Sequence, residues 1–330
     1  MPYSLGAAQF SHEQADDPIA FVRPARDRPS HHPGAHGWRR WRSSGGLGLI
    51  GGGYCDEAWL EREFEHAGGV PVGVGFIGWR LAQAHGLLAR VLERRPRAVL
   101  LSFGGTAAES RQILDSGARL LVQVQSVAQA REAQASGADV VIAQGAEAGG
   151  HAGMRGTLPL VAAVVDAVAP LPVVAAGGIA DGRGLVAAMA LGAAGVMLGS
   201  RFYASTEALA AAGLQDRVVS ASGDDTVRSA VFDRLRGWDW PPGYGLRTLR
   251  NQTTQRFEND PAGFQSAIDE ERKKFGRAVR DADPDNAAVI VGEAADLLRA
   301  VQPAADIVRT VVDEASAVLT ALSAARLIPS

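Results

Sequence analysis

Seven short apolar runs, each followed by a helix-like segment, decide what this chain can fold into. They are Gly46–Gly51 (GLGLIG), Val72–Ile77 (VGVGFI), Ala98–Gly104 (AVLLSFG), Arg119–Gln125 (RLLVQVQ), Ala138–Gln144 (ADVVIAQ), Pro172–Gly177 (PVVAAG) and Gly195–Gly199 (GVMLG). They are apolar almost throughout rather than alternating, which marks strands covered on both faces. Between them lie segments at helical spacing, such as DEAWLEREFEHAG and SVAQAREAQASGA, the latter with Ser126 placed to cap its start. The alternation predicts an α/β fold with a parallel sheet and crossover helices. A (β/α)8 barrel needs eight such units. Seven are visible, so the first strand is missing or aberrant, and its place lies before Gly45. A doubly wound open sheet is the rival that needs no eighth strand.

Composition narrows the function. With 330 residues, 47% of them apolar, and a net charge of −3, the chain can bury a large core and has no basic field suited to nucleic acid. The arginines at 39, 40 and 42 form a local cluster only. Cys55 is the single cysteine, which excludes an intrachain disulfide and fits a reducing cytosol. No apolar run is long enough to cross a bilayer, and the first residues lack the order of a signal peptide. The expectation is a cytoplasmic protein acting on small molecules, without a membrane or nucleic-acid partner. The HHPGAH cluster (31–36) has no accompanying ligand framework, so no metal is expected.

Chemistry in such barrels gathers at the C-terminal ends of the strands, and phosphate binds after the last two. Those positions read AAGGIADGRG (175–184) and LGSRF (198–202). Glycines there let a backbone approach an anion, with a helix N-terminus behind it; the bland reading is a tight turn. The end of the fifth visible run is richer still, AQGAEAGGHAGMRGTLPL (143–160). His151 stands in this glycine-rich loop at the catalytic face, where an imidazole can serve as a base near neutral pH. Glu147 is a weaker candidate, because a loop carboxylate is most often solvated.

These motifs, ADVVIAQGAEAGGHAG, PVVAAGGIADGRG and GVMLGSRF, closely resemble those of the nitronate monooxygenase family. GGLGLIGGGY resembles the family's second strand, and AAVIVGEAADLLRAVQPAADIVRTVVDEA (287–315) its closing helices. The resemblance implies a TIM barrel that holds FMN non-covalently and oxidises alkyl nitronates with molecular oxygen. It implies that Gln144 and Gly149 contact the flavin, and that Gly178, Met197, Leu198, Gly199 and Ser200 hold the ribityl phosphate. It makes His151 the active-site base. Relatives often carry Asn in the third strand, where this chain has Gly75. Flavin-dependent enoyl-ACP reductases and quinone reductases that use NAD(P)H share most of the motifs and form the nearest alternative. A non-catalytic barrel is the alternative of another class. The expected partners are a nitronate and oxygen, with a homodimer as the assembly.

The same reading divides the chain into an atypical segment 1–42, an FMN-binding barrel of 43–206 plus 287–330, and a small, helix-rich substrate-side insertion at 207–286. Within the insertion, GWDWPPGYGLRTLRNQ is a loop-rich lid, and Trp238, Trp240 and Tyr244 are read as packing it onto the barrel. Family members begin with a strand of the type P-I-x-Q-A-P-M and a helix ending A-A-V-S-N-A-G-G. Residues 1–42 contain neither. Pro18–Val22 is the run best placed to fill the gap, but Arg23, Pro24 and Arg26 end it early. Gly-Trp-Arg-Arg-Trp-Arg at 37–42 can be encoded so that a shifted frame reads Leu-Ala-Ala-Val-Ala, like the family's helix. The residues before about 43 are therefore expected to be translated out of frame, and the chain as written to fold poorly or bind flavin weakly. Sequencing the gene and expressing a frame-corrected version tests this. The corrected protein should retain more flavin; equal retention by both, with the locus confirming the present frame, refutes it.

Overall fold

The computed structural model describes residues 19–22, 46–258 and 260–325. Seven parallel strands form the barrel wall in chain order: β2 (Gly46–Gly51), β3 (Gly73–Ile77), β4 (Ala98–Ser102), β5 (Arg119–Val124), β6 (Val140–Gln144), β8 (Val173–Ala176) and β9 (Gly195–Leu198). The gap between β9 and β2 is closed by β1 (Ile19–Val22), which lies within the run proposed for it. β1 is antiparallel to both neighbours, pairing Ile19 with Leu49 and Ala20 with Leu198. The closing strand is thus aberrant in direction. Of the segment 1–42, the remainder lies outside the described residues, including Trp38–Arg42 and the HHPGAH cluster.

The apolar runs divide their side chains between two layers, as strands buried on both faces do. Leu47, Leu49, Leu100, Leu121, Ile142, Val174 and Met197 fill the barrel interior. Their alternates Val99, Leu101, Leu120, Val141, Val173, Val196 and Leu198 pack against the surrounding helices. Helix starts follow local chemistry. Asp56 accepts from Trp59 N at 2.9 Å to cap Glu57–Ala67, and Gly68 ends that helix in the left-handed conformation. Thr106 and Glu109 form a capping box on Ala107–Asp115, and Ser126 caps Val127–Ala135.

Beyond β9 the chain is mostly helical, with Val231–Arg236, Gln252–Glu258 and Pro261–Arg280 enclosing a small core of Phe232, Leu235, Leu246, Phe257, Phe264 and Ile290. It also carries two strands, β10 (Thr226–Ser229) and β11 (Gly245–Leu249). They form a three-stranded sheet with β7 (Gly150–Ala152), in the order β10-β11-β7. β7 belongs to the glycine-rich segment after β6, so the segment read as a loop is fastened to the insertion by backbone pairing. The helix Ala304–Ala324 returns to pack on Gly182–Ala190. Among the described residues, no helix is long and apolar enough to cross a membrane, and no group of three or more His, Cys, Asp or Glu is placed to hold a metal ion.

Helix Ala304–Ala324 docks where Gly182 lies against the Glu314–Ala315 backbone, so a Cβ has no room there, and Gly182 N donates to Glu314 Oε2 at 3.0 Å. Gly182→Val should therefore cost about 1–3 kcal/mol through overpacking, read as a lowered midpoint in urea. Gly213→Ala, with nothing within 4 Å of the new carbon, should be neutral or slightly stabilising.

Candidate functional site

The site is built where β6 ends. Gln144 is the last residue of β6, and its Oε1 accepts from Gln123 Nε2 and from Gln125 Nε2, each at 3.0 Å. Gln123 and Gln125 come from the run RLLVQVQ and, spaced by two from Leu121, share the face that turns into the barrel. A further link runs outward: Gln129 Oε1 accepts from Gln125 N at 2.7 Å, and Gln129 Nε2 donates to Tyr244 OH at 2.9 Å. Gln125 Oε1 is buried without a partner among the described residues.

After Gln144 the chain bends through Gly145–Gly149 and enters β7. Gly149 has a steric reason to be glycine. A Cβ there would sit 2.7 Å from Val291 C, and one on Gly292 would sit 2.7 Å from Gly149 N. The two backbones touch, and Glu293 N donates to Glu147 O at 2.9 Å beside them. Ala146 O accepts from Arg228 Nη2 at 2.6 Å and from Arg247 Nε and Nη2 at 3.2 and 3.1 Å. Glu147, a weak candidate for chemistry, has its carboxylate taken up by Thr157: N donates at 2.9 Å to each oxygen and Oγ1 at 2.7 Å. It caps the helix Thr157–Val168.

His151 follows in β7, opposite Leu246 of β11, and is buried at 9% exposure. Its Nε2 lies 3.0 Å from both carboxylate oxygens of Asp233, itself 2% exposed. A carboxylate only accepts, so the proton of the neutral ring sits on Nε2 and Nδ1 keeps the basic lone pair. Trp240 stacks on the imidazole with centroids 3.4 Å apart and planes at 11°. Proton transfer from an imidazole runs in the ring plane, so a stacked face leaves Nδ1 usable. Burial, the largest influence, pushes the His151 pKa below its ordinary value; the Asp233 hydrogen bond and charge oppose this, while Arg236 and Arg228 act with burial. Burial thus favours the neutral ring.

A cavity opens between these groups. It is lined by the ends of β2 to β6, including Gly51, Gly75, Ser102, Gln123 and Gln144, then Phe103 just after β4, Gly149 and His151, with Arg236 and Trp240 from the insertion. The lid aromatics do pack onto the barrel loops, as expected: Tyr54 stacks on Trp238 at 4.4 Å and its OH accepts from Trp240 Nε1 at 3.0 Å. Trp240 and Tyr244 also meet Phe103, each at 5.0 Å. One of them therefore serves the site as well as the packing. Phe103 takes a φ of 56°, a strained backbone at the rim.

The structure thus brings Gln144, Gly149 and His151 to one cavity. Gly178, Met197, Leu198, Gly199 and Ser200 gather separately at the ends of β8 and β9. Gly178 has φ +68° and lies against Glu147. Met197 points into the barrel and Leu198 into the outer layer, so Leu198 offers a ligand only its backbone. A Cβ on Gly199 would meet nothing within 4 Å among the described residues, and Ser200 Oγ accepts from Gly292 N at 2.9 Å. Sequence reasoning missed Asp233, Gln123, Gln125 and Arg236. Asp233 is 82 positions from His151 with no motif around it; the two glutamines were visible as polar residues in an otherwise apolar strand.

The family model for nitronate monooxygenase matches residues 54–314. The chain is 38% identical to the nitronate monooxygenase npaC of Metarhizium robertsii, over 86% of this chain and 87% of that protein. Among solved structures, FabK from Thermotoga maritima superposes with a TM-score of 0.74 at 31% identity, covering 86% of this chain and 88% of that one. A nitroalkane oxidase from Streptomyces ansochromogenes does so with a TM-score of 0.72 at 26% identity, covering 85% and 91%. The family match takes in the His151 segment and most of the closing helices, and the chain belongs to the nitronate monooxygenase family.

Proposed function

We propose that the protein is an FMN-dependent oxidoreductase that oxidises alkyl nitronates with molecular oxygen, with His151 as its base. The observation that carries the reading is the buried His151–Asp233 pair set at the rim of a barrel-mouth cavity. The residues present fit a flavin nucleotide. Gln123 and Gln144 offer amides at the mouth, and the space over Gly199, clear of every described residue and at the strand end next to that of the left-handed Gly178, suits a phosphate. In this reading Gln144 and Gly149 meet the flavin, and Gly178, Met197, Leu198, Gly199 and Ser200 hold its phosphate, Leu198 through its backbone. The chemistry a bound FMN supplies is the passage of electrons from the nitronate to oxygen. The barrel is then 43–206 with 287–330 and the substrate side 207–286. A cytosolic setting agrees with a chain whose single cysteine leaves no intrachain disulfide to form.

The chain's own residues act on the proton. Asp233 holds the ring tautomer and orientation, so Nδ1 is the atom that takes the α-proton of a neutral nitroalkane. Trp240, Phe103 and Tyr244 keep the ring out of bulk water. A preformed nitronate has no such proton and needs His151 less. The motifs shared with flavin-dependent enoyl-ACP and quinone reductases leave a second reading, a reductase that uses NAD(P)H. Anaerobic mixing of the flavin-loaded protein with NADH, and separately with an alkyl nitronate, decides between them: only the nitronate should bleach the flavin. Bleaching by NADH alone sinks the first reading.

Three outcomes follow. His151→Asn should keep its flavin and lose about 10²- to 10⁴-fold in kcat with a neutral nitroalkane; an undiminished rate removes His151 from the mechanism. Because the His151 pKa is lowered, kcat/KM for the nitroalkane should be flat through neutrality and fall only in acid, below about pH 6.5; a limb above that value contradicts the assignment. Gly199→Val adds a side chain to space that no described residue occupies, so it should expel FMN without lowering the melting temperature of the apoprotein. Unchanged FMN affinity, measured by fluorescence titration, would falsify the phosphate position. Gly178→Val is the less clean variant, since its φ and Glu147 both resist a side chain.

A further inference from the structure

The helix Val231–Arg236 carries two groups toward the cavity, one turn apart: Asp233, which holds His151, and Arg236, which lines the wall. Arg236 is half-buried. Among the described residues its guanidinium has no hydrogen bond and no ion pair; its one contact of note is the Phe275 ring, 5.9 Å from the centroid. Other arginines of the insertion are engaged. Arg228 and Arg247 hold Ala146 O, Arg247 also pairs with Glu293 at 2.7 Å, and Arg256 pairs with Glu271 at 2.8 Å.

The rest of the described lining is apolar, aromatic, glycine or neutral polar, and includes no Asp or Glu. Asp233, three residues back, has both oxygens on His151. A half-desolvated cation in a cavity without a carboxylate is paid for by whatever enters. The guanidinium fork matches two coplanar oxygens that share a negative charge. A nitronate head presents such a pair, whereas a neutral nitro group presents the same shape with no net charge.

We propose that Arg236 binds the anionic oxygens of the substrate and sets the preference for a nitronate over its neutral nitroalkane. This rests on the reading given under Proposed function. It assigns the recognition of charge to Arg236 and the removal of a proton to His151, so the two residues serve different forms of one substrate.

The test uses FMN-loaded protein, so that the phosphate position is filled. Sodium nitrate, a planar oxyanion that is not a substrate, is titrated against tryptophan fluorescence, because Trp240 lines the same cavity. Saturable binding is expected, weakened roughly 10- to 100-fold in Arg236→Met and recovered in part by Arg236→Lys, as for hydrogen bonds between charged groups. The ratio of kcat/KM for propyl-2-nitronate to that for 2-nitropropane should fall at least about tenfold in Arg236→Met. No saturable nitrate binding in the parent protein, equal affinity in both variants, or an equal fall for nitronate and nitroalkane overturns the proposal. If Arg236→Met loses FMN or folds poorly, Arg236→Gln is measured in the same way. Should the protein oxidise neither nitro compound while Arg236→Met still loses nitrate, the oxidation reading fails and the anion site stands.

Discussion

The site depends on a contact between two stretches of main chain. Gly149 and Gly292 meet with no side chain between them, and this lets the segment after β9's insertion return directly behind the bend that follows β6. The bend then has its carbonyls claimed from the far side, by Glu293 N at Glu147 and by two guanidinium groups at Ala146. With these satisfied, the bend cannot relax into solvent, and β7 leaves it in a set direction to pair with β11. His151 owes its position to that pairing. A methyl group at either glycine would part the two backbones and turn the imidazole away from Asp233.

The His151–Asp233 pair adds little to stability in its own right. Burying a carboxylate costs solvation energy that its partner repays only in part. What the arrangement achieves is a single tautomer in a ring whose neutral form burial favours. Packing supplies the enclosure: Trp240 lies on one face of the ring, Phe103 meets it edge-on at 6.3 Å, and Tyr54 anchors Trp240 through its indole nitrogen. The lid aromatics connect in turn to the glutamines of the barrel mouth through Gln129 and Tyr244. Lid and barrel thus share one polar chain and one aromatic cluster.

Much of this was legible in the amino-acid order. Strands buried on both faces write themselves as apolar runs, so β2 to β6, β8 and β9 could be placed, and caps such as Ser126 marked helix starts. His151 was visible because its glycine-rich surroundings are unusual. Its partner was not, because Asp233 sits in an ordinary amphipathic turn, VFDRLR, and only the folded chain brings the two together. The pairing of β7 with β11 was hidden for a similar reason: three residues, Gly-His-Ala, carry no strand pattern, and their hydrogen bonds are with a segment far along the chain. The direction of β1 was also illegible. Alternation and apolar content say that a run can be a strand, but not which way it points.

That reversed direction has a geometric consequence for the chain's beginning. In a barrel whose strands all run the same way, the polypeptide enters the first strand at the end remote from the ligand. Here Ile19 pairs with Leu49, near the end of β2, while Val22 pairs with Gly46 at its start. Ile19 therefore sits at the ligand end of the wall and Val22 at the remote end, so the closing strand brings its first residue, not its last, to the rim of the cavity.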